Sequence, residues 1–421
     1  MTTILDWESL DLTRIVRPGD TVVCVDGPGE PTPLTAKLLE QRRRLGGIRL
    51  FMGTSLGTSL KGLGDDPDLR VATYNGGLAY FDLFEKGNLA IVPTHFFQVG
   101  REMADGNLKT DVAFLHVAPP DADGNYNLGP SVGYGQRMLE NIDRVVAMVN
   151  PRLPRMGGDT TVPAARIDYL LRADTPVLEL PRREPSATEV AIAEHIAPLV
   201  PDRATLQLGI GTLPDAVAGQ LIGKKDLGLH SGLLGESIVD LMDSGTVTNR
   251  YKEVDTGATV SALYFGSRRL YDFLDGNPNV QTRCASHTHN PAILSQFARL
   301  VSINSAIEVD LTGQVNGETI GRRYIGTLGG QGDFQRSAMR TPEGHGIIAL
   351  PATAAGGKAS RIVPRVTTTV TTPRGDADLV ITEFGVAELR GRTLEERARA
   401  MIEIAHPDHR AALFAALDDL A

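Results

Sequence analysis

The sequence predicts an α/β protein of two related open α/β domains with a cleft between them. Three observations predict it. Short apolar runs alternate with longer amphipathic segments, which is the pattern of a largely parallel sheet covered on both faces. A unit of strand, Gly-x-Gly, proline-containing turn and helix occurs twice, in "TVVCVDGPGEPTPLTAKLLE" and "TLQLGIGTLPDAVAGQLI", roughly 180 residues apart. A proline-rich, charged stretch, "LELPRREPS", lies between the two copies.

The elements follow in order. "TVVCVDG" (Thr21–Gly27) reads as a buried strand, and "PTPLTAKLLEQRRRL" as a helix entered through prolines. "GIRLFMG", "LAIVPTH" and "DVAFLHVAPP" read as further strands, whereas "MLENIDRVVAMVN" fits a strand or a helix equally well. Ser186 and Glu189 have the S-x-x-E spacing of a capping box, so a helix starts at Ser186. The expected domains are therefore residues 1–185 and 186–421.

Composition bounds the function. The chain has 421 residues, a net charge of -9 and 45 glycines spread along its length. The acidic balance argues against a nucleic-acid or anionic-membrane partner, while leaving room for an anionic small molecule at a local cationic site. Two cysteines, Cys24 and Cys284, make neither a disulfide framework nor a four-ligand zinc site, so the expected location is cytoplasmic. The N-terminus has no signal-peptide pattern, and no apolar run approaches the ~20 residues of a membrane span.

Several motifs fail on inspection. Gly209-Ile210-Gly211 lacks the third glycine of a dinucleotide fingerprint, Pro214 standing there, and Gly27-Pro28-Gly29 has Thr32 in that place. His287 and His289 lack a third metal ligand and fit a capped turn before Pro291. One stretch stands apart. In "INSAIEVDL", read as a strand from Ile303 to Leu311, alternation puts Ile303, Ser305, Ile307, Val309 and Leu311 on a core face. Asn304, small Ala306, Glu308 and Asp310 fall on the other face, ahead of the glycine-rich "GTLGGQGDF". Pattern alone leaves two readings. One is an edge strand with solvated acids and a mobile loop; the other is a carboxylate facing backbone N–H groups suited to an oxyanion.

"INSAIEVDLTGQVNGETIG", "GTLGGQGDF", "IIALPATAAGGKASRIVP", "LVITEFGVAELRGRTLEERARAMIEIAHPDHR" and "HVAPPDADGNYNLGPSVGY" together resemble the acetyl-CoA hydrolase/transferase family, and the resemblance spans nearly the whole chain. It implies a class I CoA-transferase of the 4-hydroxybutyrate, butyrate or acetate type, with the active site between two CoA-transferase-type domains. No metal and no permanently bound cofactor are implied; coenzyme A enters as part of the substrate. The implied nucleophile is Glu308, and Gly385 of Glu383–Ala387 is the implied backbone donor to the thioester oxygen. Gly329, Gly330, Gln331, Gly332, Asp333 and Phe334 match the motif that lines the CoA site. The implied partners are an acyl-CoA and a small carboxylic acid, in a homodimer or homotetramer. Asp310 is expected to be a hydrogen-bonded or solvated neighbour rather than a catalytic group.

Two departures stand out. "GLHSGLLGESIVDLM" has Gly232 and Leu233 where the family carries an acid and a methionine, and "GGKASRIVPRVTTTVTTPRG" is short. These leave the acid substrate open, and the altered "SGLLGE" region leaves acyl-CoA binding without catalysis as one alternative to transfer; hydrolysis of the acyl-CoA is another, which nothing in the sequence excludes.

Overall fold

The apolar runs of the N-terminal half become strands, and those at the centre of the sheet are buried on both faces. In the computed structural model, which describes residues 2–417, eight strands form one sheet. They are β1 (Thr3–Ile4), β2 (Thr21–Cys24), β3 (Ile48–Met52), β4 (Leu69–Thr73), β5 (Leu89–Ile91), β6 (Val112–Val117), β7 (Arg144–Val149) and β8 (Tyr169–Arg172). Their order is β1-β8-β7-β6-β2-β3-β4-β5, and every neighbouring pair runs parallel. All six residues of β6 are buried, as a central parallel strand requires. The ambiguous "MLENIDRVVAMVN" divides. Leu139–Asn141 form one helical turn, and β-branched Val145, Val146 and Val149 go into β7. Helix α1 (Thr32–Gln41) has a proline in its first turn and buries Leu34, Leu38 and Leu39. Both cysteines are free and buried.

The C-terminal half has a second sheet. Its strands within the second unit are β9 (Thr205–Gln207), β10 (Gly228–Leu234), β11 (Leu300–Ser305), β14 (His345–Ala349), β16 (Leu379–Thr382) and β17 (Gly385–Glu388). Between them in sequence lie the strands of a small separate sheet, β12 (Glu308–Asp310), β13 (Val315–Asn316) and β15 (Ile362–Val363), ordered β13-β12-β15. The main order is β17-β16-β14-β11-β9-β10, with only the β16–β17 hairpin antiparallel. The helices used below are α2 (Ala187–Ile196), α3 (Thr212–Leu221) and α4 (Gln331–Ala338).

The shared plan read from the sequence is visible in each sheet taken by itself. β2 and β9 each lead through a glycine turn into a helix, α1 or α3. Each has the following strand, β3 or β10, on one side and a later strand, β6 or β11, on the other. The capping box opens α2 as expected: Ser186 Oγ accepts the Glu189 amide at 3.3 Å, and Glu189 Oε2 accepts the Ser186 amide at 2.8 Å.

The chain forms two compact units, but their boundary is not a single crossing at residue 185. The first unit runs to Pro181 and also takes Val260–Thr288 and Arg323–Ile325; the second has the remainder. The returning segment belongs to the first unit by pairing: Val280–Thr282 runs parallel to Gly157–Gly158, and Leu263 bridges to Ser131. Partners more than 120 residues apart leave no local sequence signal.

Residues 303–311 are not one strand. β11 pairs with β14 as far as Ser305, which is exposed rather than buried, and the chain then leaves that sheet. The Ile307 amide turns to the Asn316 carbonyl at 2.8 Å, and β12 continues in the small sheet. The tight return through Gly313 to β13 competes for the hydrogen bonds that would have extended β11.

Candidate active site

Glu308 and Asp310 lie two apart on a short strand, yet their surroundings differ. Asp310 is fully buried, and its carboxylate is consumed by the turn that follows. Oδ1 accepts from the Thr312 amide and hydroxyl, at 2.9 and 2.7 Å, and from the Gln314 amide at 3.0 Å. Oδ2 accepts from Gln314 Nε2 at 2.8 Å and from the Val366 amide at 3.1 Å. A carboxylate so saturated has no lone pair left for chemistry.

Glu308 is partly exposed. Its Oε1 accepts from Asn316 Nδ2 at 2.9 Å. Asn316 is fully buried, and its Oδ1 accepts the Glu318 and Thr319 amides at 2.9 and 3.0 Å. The carboxamide is thereby fixed, and it fixes one oxygen of Glu308.

The glycine-rich segment packs against the same hairpin. The Gly326 amide donates to the Glu318 carbonyl at 2.9 Å, and a Cβ at Gly326 would run into the Gly317 carbonyl. Gln331 Nε2 donates to Thr372 Oγ1 at 3.1 Å, while Thr371 Oγ1 accepts the Gly317 amide at 2.7 Å. Val315 bridges to Thr372. The strand carrying Glu308 and the motif Gly329–Phe334 thus meet through residues 315–318 and 371–372. The motif itself is not all loop: Gly330 caps α4, and Gln331 to Phe334 form its first turn. Gly329, Gly330, Gln331 and Asp333 are partly exposed, with Asp333 at the favourable end of the helix dipole. Gly332 and Phe334 are buried, and Phe334 packs with Leu294, Phe297 and Leu300, supporting the turn rather than lining a surface.

His289 is the second support. Its ring meets Phe334 edge-on with centroids 4.8 Å apart, and burial pushes its pKa down to about 3, so the imidazole is neutral. A Cβ on Gly330 would collide with the imidazole, and one on Gly232 would lie 2.5 Å from Nε2. The departure noted at Gly232 therefore has a structural counterpart: His289 occupies the space that a side chain at 232 would need.

Gly385 starts β17, directly after the two-residue turn Glu383–Phe384. Its φ of 140° is a conformation that only glycine adopts readily, although a Cβ would meet nothing nearer than Ile404 at 3.8 Å. Glu383 Oε2 accepts the Ala352 amide at 2.8 Å, and the Ala352 carbonyl accepts the Arg361 amide at 2.9 Å. Arg361 in turn offers its carbonyl to the Val309 amide at 2.9 Å. Ala352 is thus a common anchor for the Gly385 hairpin and the strand beside Glu308.

The sequence singles out neither Asn316 nor Arg361, and it offers His289 only as a metal ligand or as part of a capped turn before Pro291. Asn316 reads as an ordinary turn residue beside glycine, and the other two act through contacts distant in sequence.

The profile of the acetyl-CoA hydrolase/transferase N-terminal domain matches residues 8–179, and that of the C-terminal domain matches residues 266–417. The chain belongs to the acetyl-CoA hydrolase/transferase family. It is 38% identical over 425 residues to the 4-hydroxybutyrate coenzyme A transferase of Clostridium kluyveri, covering 97% of this chain and 98% of that one. It is 36% identical over 406 residues to the succinyl-CoA:cyclohexane-1-carboxylate CoA transferase of Geobacter metallireducens, covering 96% and 93%. The crystal structure of RipA from Yersinia pestis superposes with a TM-score of 0.93 at 31% identity, covering 99% of this chain and 97% of that one. Membership in this acetyl-CoA hydrolase/transferase family accounts for both α/β units. Among the described residues no helix is long and apolar enough to cross a membrane, and no cluster of His, Cys, Asp and Glu is arranged to hold a metal.

Proposed function

We propose that this chain is a CoA-transferase that moves CoA between an acyl-CoA and a short-chain carboxylic acid, with Glu308 as nucleophile. The observation that carries the reading is the contrast between the two acids of β12. Asp310 is spent on structure, whereas Glu308 is partly exposed and held by one oxygen on Asn316. The names of the family relatives above support the same reaction class.

The chemistry needs a carboxylate because each exchange must be nearly isoenergetic. The free oxygen of Glu308 attacks the thioester carbon, the C–S bond breaks, and an acyl-glutamyl anhydride and CoA thiolate form. The thiolate attacks the glutamyl carbonyl, a C–O bond breaks, and the first acid leaves as its carboxylate. A second carboxylate reverses the sequence and departs as the new acyl-CoA, with no net proton change. The first turn of α4 and the amide of Gly385 are the groups we assign to CoA and to the thioester oxygen. One well-placed backbone donor is worth about 3 kcal/mol to each tetrahedral oxyanion. Binding of the nonreacting part of CoA supplies the rest of the transition-state stabilisation.

The test is to incubate the protein with acyl-CoA, reduce with borohydride and locate the modified residue by mass spectrometry. Modification at Glu308, with transfer of CoA to a labelled acid, is the expected result. Thiol release at the same rate without any acceptor acid would mean hydrolysis instead. Tight CoA binding with Glu308 unmodified would mean binding without catalysis. Glu308→Ala is expected to abolish turnover, and Glu308→Asp, one methylene shorter, to lose about 10²-fold.

A further inference from the structure

β12 and β15 run parallel, with Val309 opposite Ile362 and Asp310 opposite Val363. The same register carried back one residue sets Arg361 opposite Glu308, and opposed residues of a parallel pair share a face. Arg361 is partly buried, and among the described residues its guanidinium makes no ion pair and no hydrogen bond, with Nε shut off from solvent. A shut-off Nε–H with no acceptor is unusual, and the Nη groups beside it are open to solvent and to a ligand. Burial lowers its pKa, and the charge of Glu383 works against that shift. Other partly buried arginines of this unit are occupied. Arg299 Nε donates to Glu343 Oε2 at 2.8 Å, and Arg397 Nη1 donates to the Thr312 and Arg374 carbonyls at 3.1 and 2.7 Å.

We propose that Arg361 binds the carboxylate group of the acid substrate, both the incoming acceptor and the departing acid. The inference rests on the reading of Glu308 as nucleophile. A guanidinium is the donor best matched to a carboxylate, and its open donors belong to the residue that leads into the strand beside the reacting one. One substrate oxygen accepts from the guanidinium. The other attacks the glutamyl-CoA carbonyl, the C–S bond breaks, and the thiolate takes the electron pair. The departing acid leaves its anhydride by the reverse path, so one cation serves both halves of the exchange. This makes the recognised feature the carboxylate itself, common to all acids of the class, and leaves chain length to other side chains.

The test varies both substrates in steady-state assays of the full chain. Arg361→Met is expected to raise KM for the acid about 10- to 100-fold, the worth of a charge-assisted hydrogen bond, with KM for acyl-CoA changed less than about 2-fold. Arg361→Lys is expected to recover part of the loss. The melting temperature of Arg361→Met should equal or exceed that of the parent, because a partly buried charge without an ion pair is removed. A fall in kcat with KM for the acid unchanged would overturn the proposal, as would equal rises in both KM values. A second measurement needs no turnover: saturation-transfer NMR of butyrate with Glu308→Ala should show binding that Glu308→Ala/Arg361→Met loses. Equal butyrate signals in the two variants would overturn the role of Arg361. Turnover by Glu308→Ala would instead overturn the nucleophile, and the NMR comparison would still decide the arginine.

Discussion

The Asn316 carboxamide donates to Glu308 Oε1 at 2.9 Å while its own oxygen accepts two backbone amides, so the proposed nucleophile is aimed by a side chain that cannot itself turn. Asn316→Ala frees Glu308 to change rotamer and is expected to lower kcat about 10-fold or more with little change in either KM. Asn316→Asp keeps the acceptor for the Glu318 and Thr319 amides but faces Glu308 with a second carboxylate, and should lower kcat further. Steady-state kinetics beside a melting curve separates this from simple loss of folded protein.

Asp310 answers to stability rather than to rate. Asp310→Ala leaves the buried amides of Thr312, Gln314 and Val366 without acceptors, at about 1–3 kcal/mol each before relaxation. A net loss of about 3–5 kcal/mol is expected in urea unfolding, while the folded fraction at low temperature retains its KM for acyl-CoA.

The pairing of Gly232 with His289 is a matter of volume. Gly232→Glu drives a side chain into an imidazole 2.5 Å from its Cβ, and overpacking alone costs about 1–3 kcal/mol. Removing the ring in Gly232→Glu/His289→Gly is expected to restore much of the melting temperature. Additive losses in the double variant would show that the two positions do not share one space.

A buried aspartate in the first unit makes stability depend on pH. Asp26 is 1% exposed; burial raises its pKa from 3.8 to about 6, against hydrogen bonds from the Tyr74 hydroxyl and the Thr54 amide. The folded state then binds more protons than the unfolded state between those two values. Stability should therefore fall as pH rises from about 4 to about 6 and level off above, with about 3 kcal/mol lost in all. Asp26→Asn is expected to melt higher than the parent at pH 7.5 and at nearly the same temperature at pH 4, by calorimetry across that range.

How much of this was legible depended on how far apart the interacting residues lie. The buried strand Val112–Val117, the capping box at Ser186 and the repeated glycine turn are short-range patterns, and the sequence displays them directly. The roles of Glu308 and Asp310 were separable only by resemblance, since alternation put them on one face. The break after Ser305 was hidden, because "INSAIEVDL" alternates as well across a change of sheet as along one strand. Arg361 is opposite Glu308 only through a parallel pairing 53 positions distant (361 less 308), and no local signal sets such a register. The same holds for the return of Val260–Thr288 to the first unit.

Cys24 and Cys284 both lie in the first unit, 0% and 4% exposed, with burial pushing the Cys24 thiol up. Neither sulfur can meet a thiol reagent until that unit opens. The rate at which a disulfide reagent releases its chromophore is therefore a direct count of opening events, obtained without adding a dye or changing a residue. Run with and without acyl-CoA, it would report how strongly substrate holds the N-terminal unit shut.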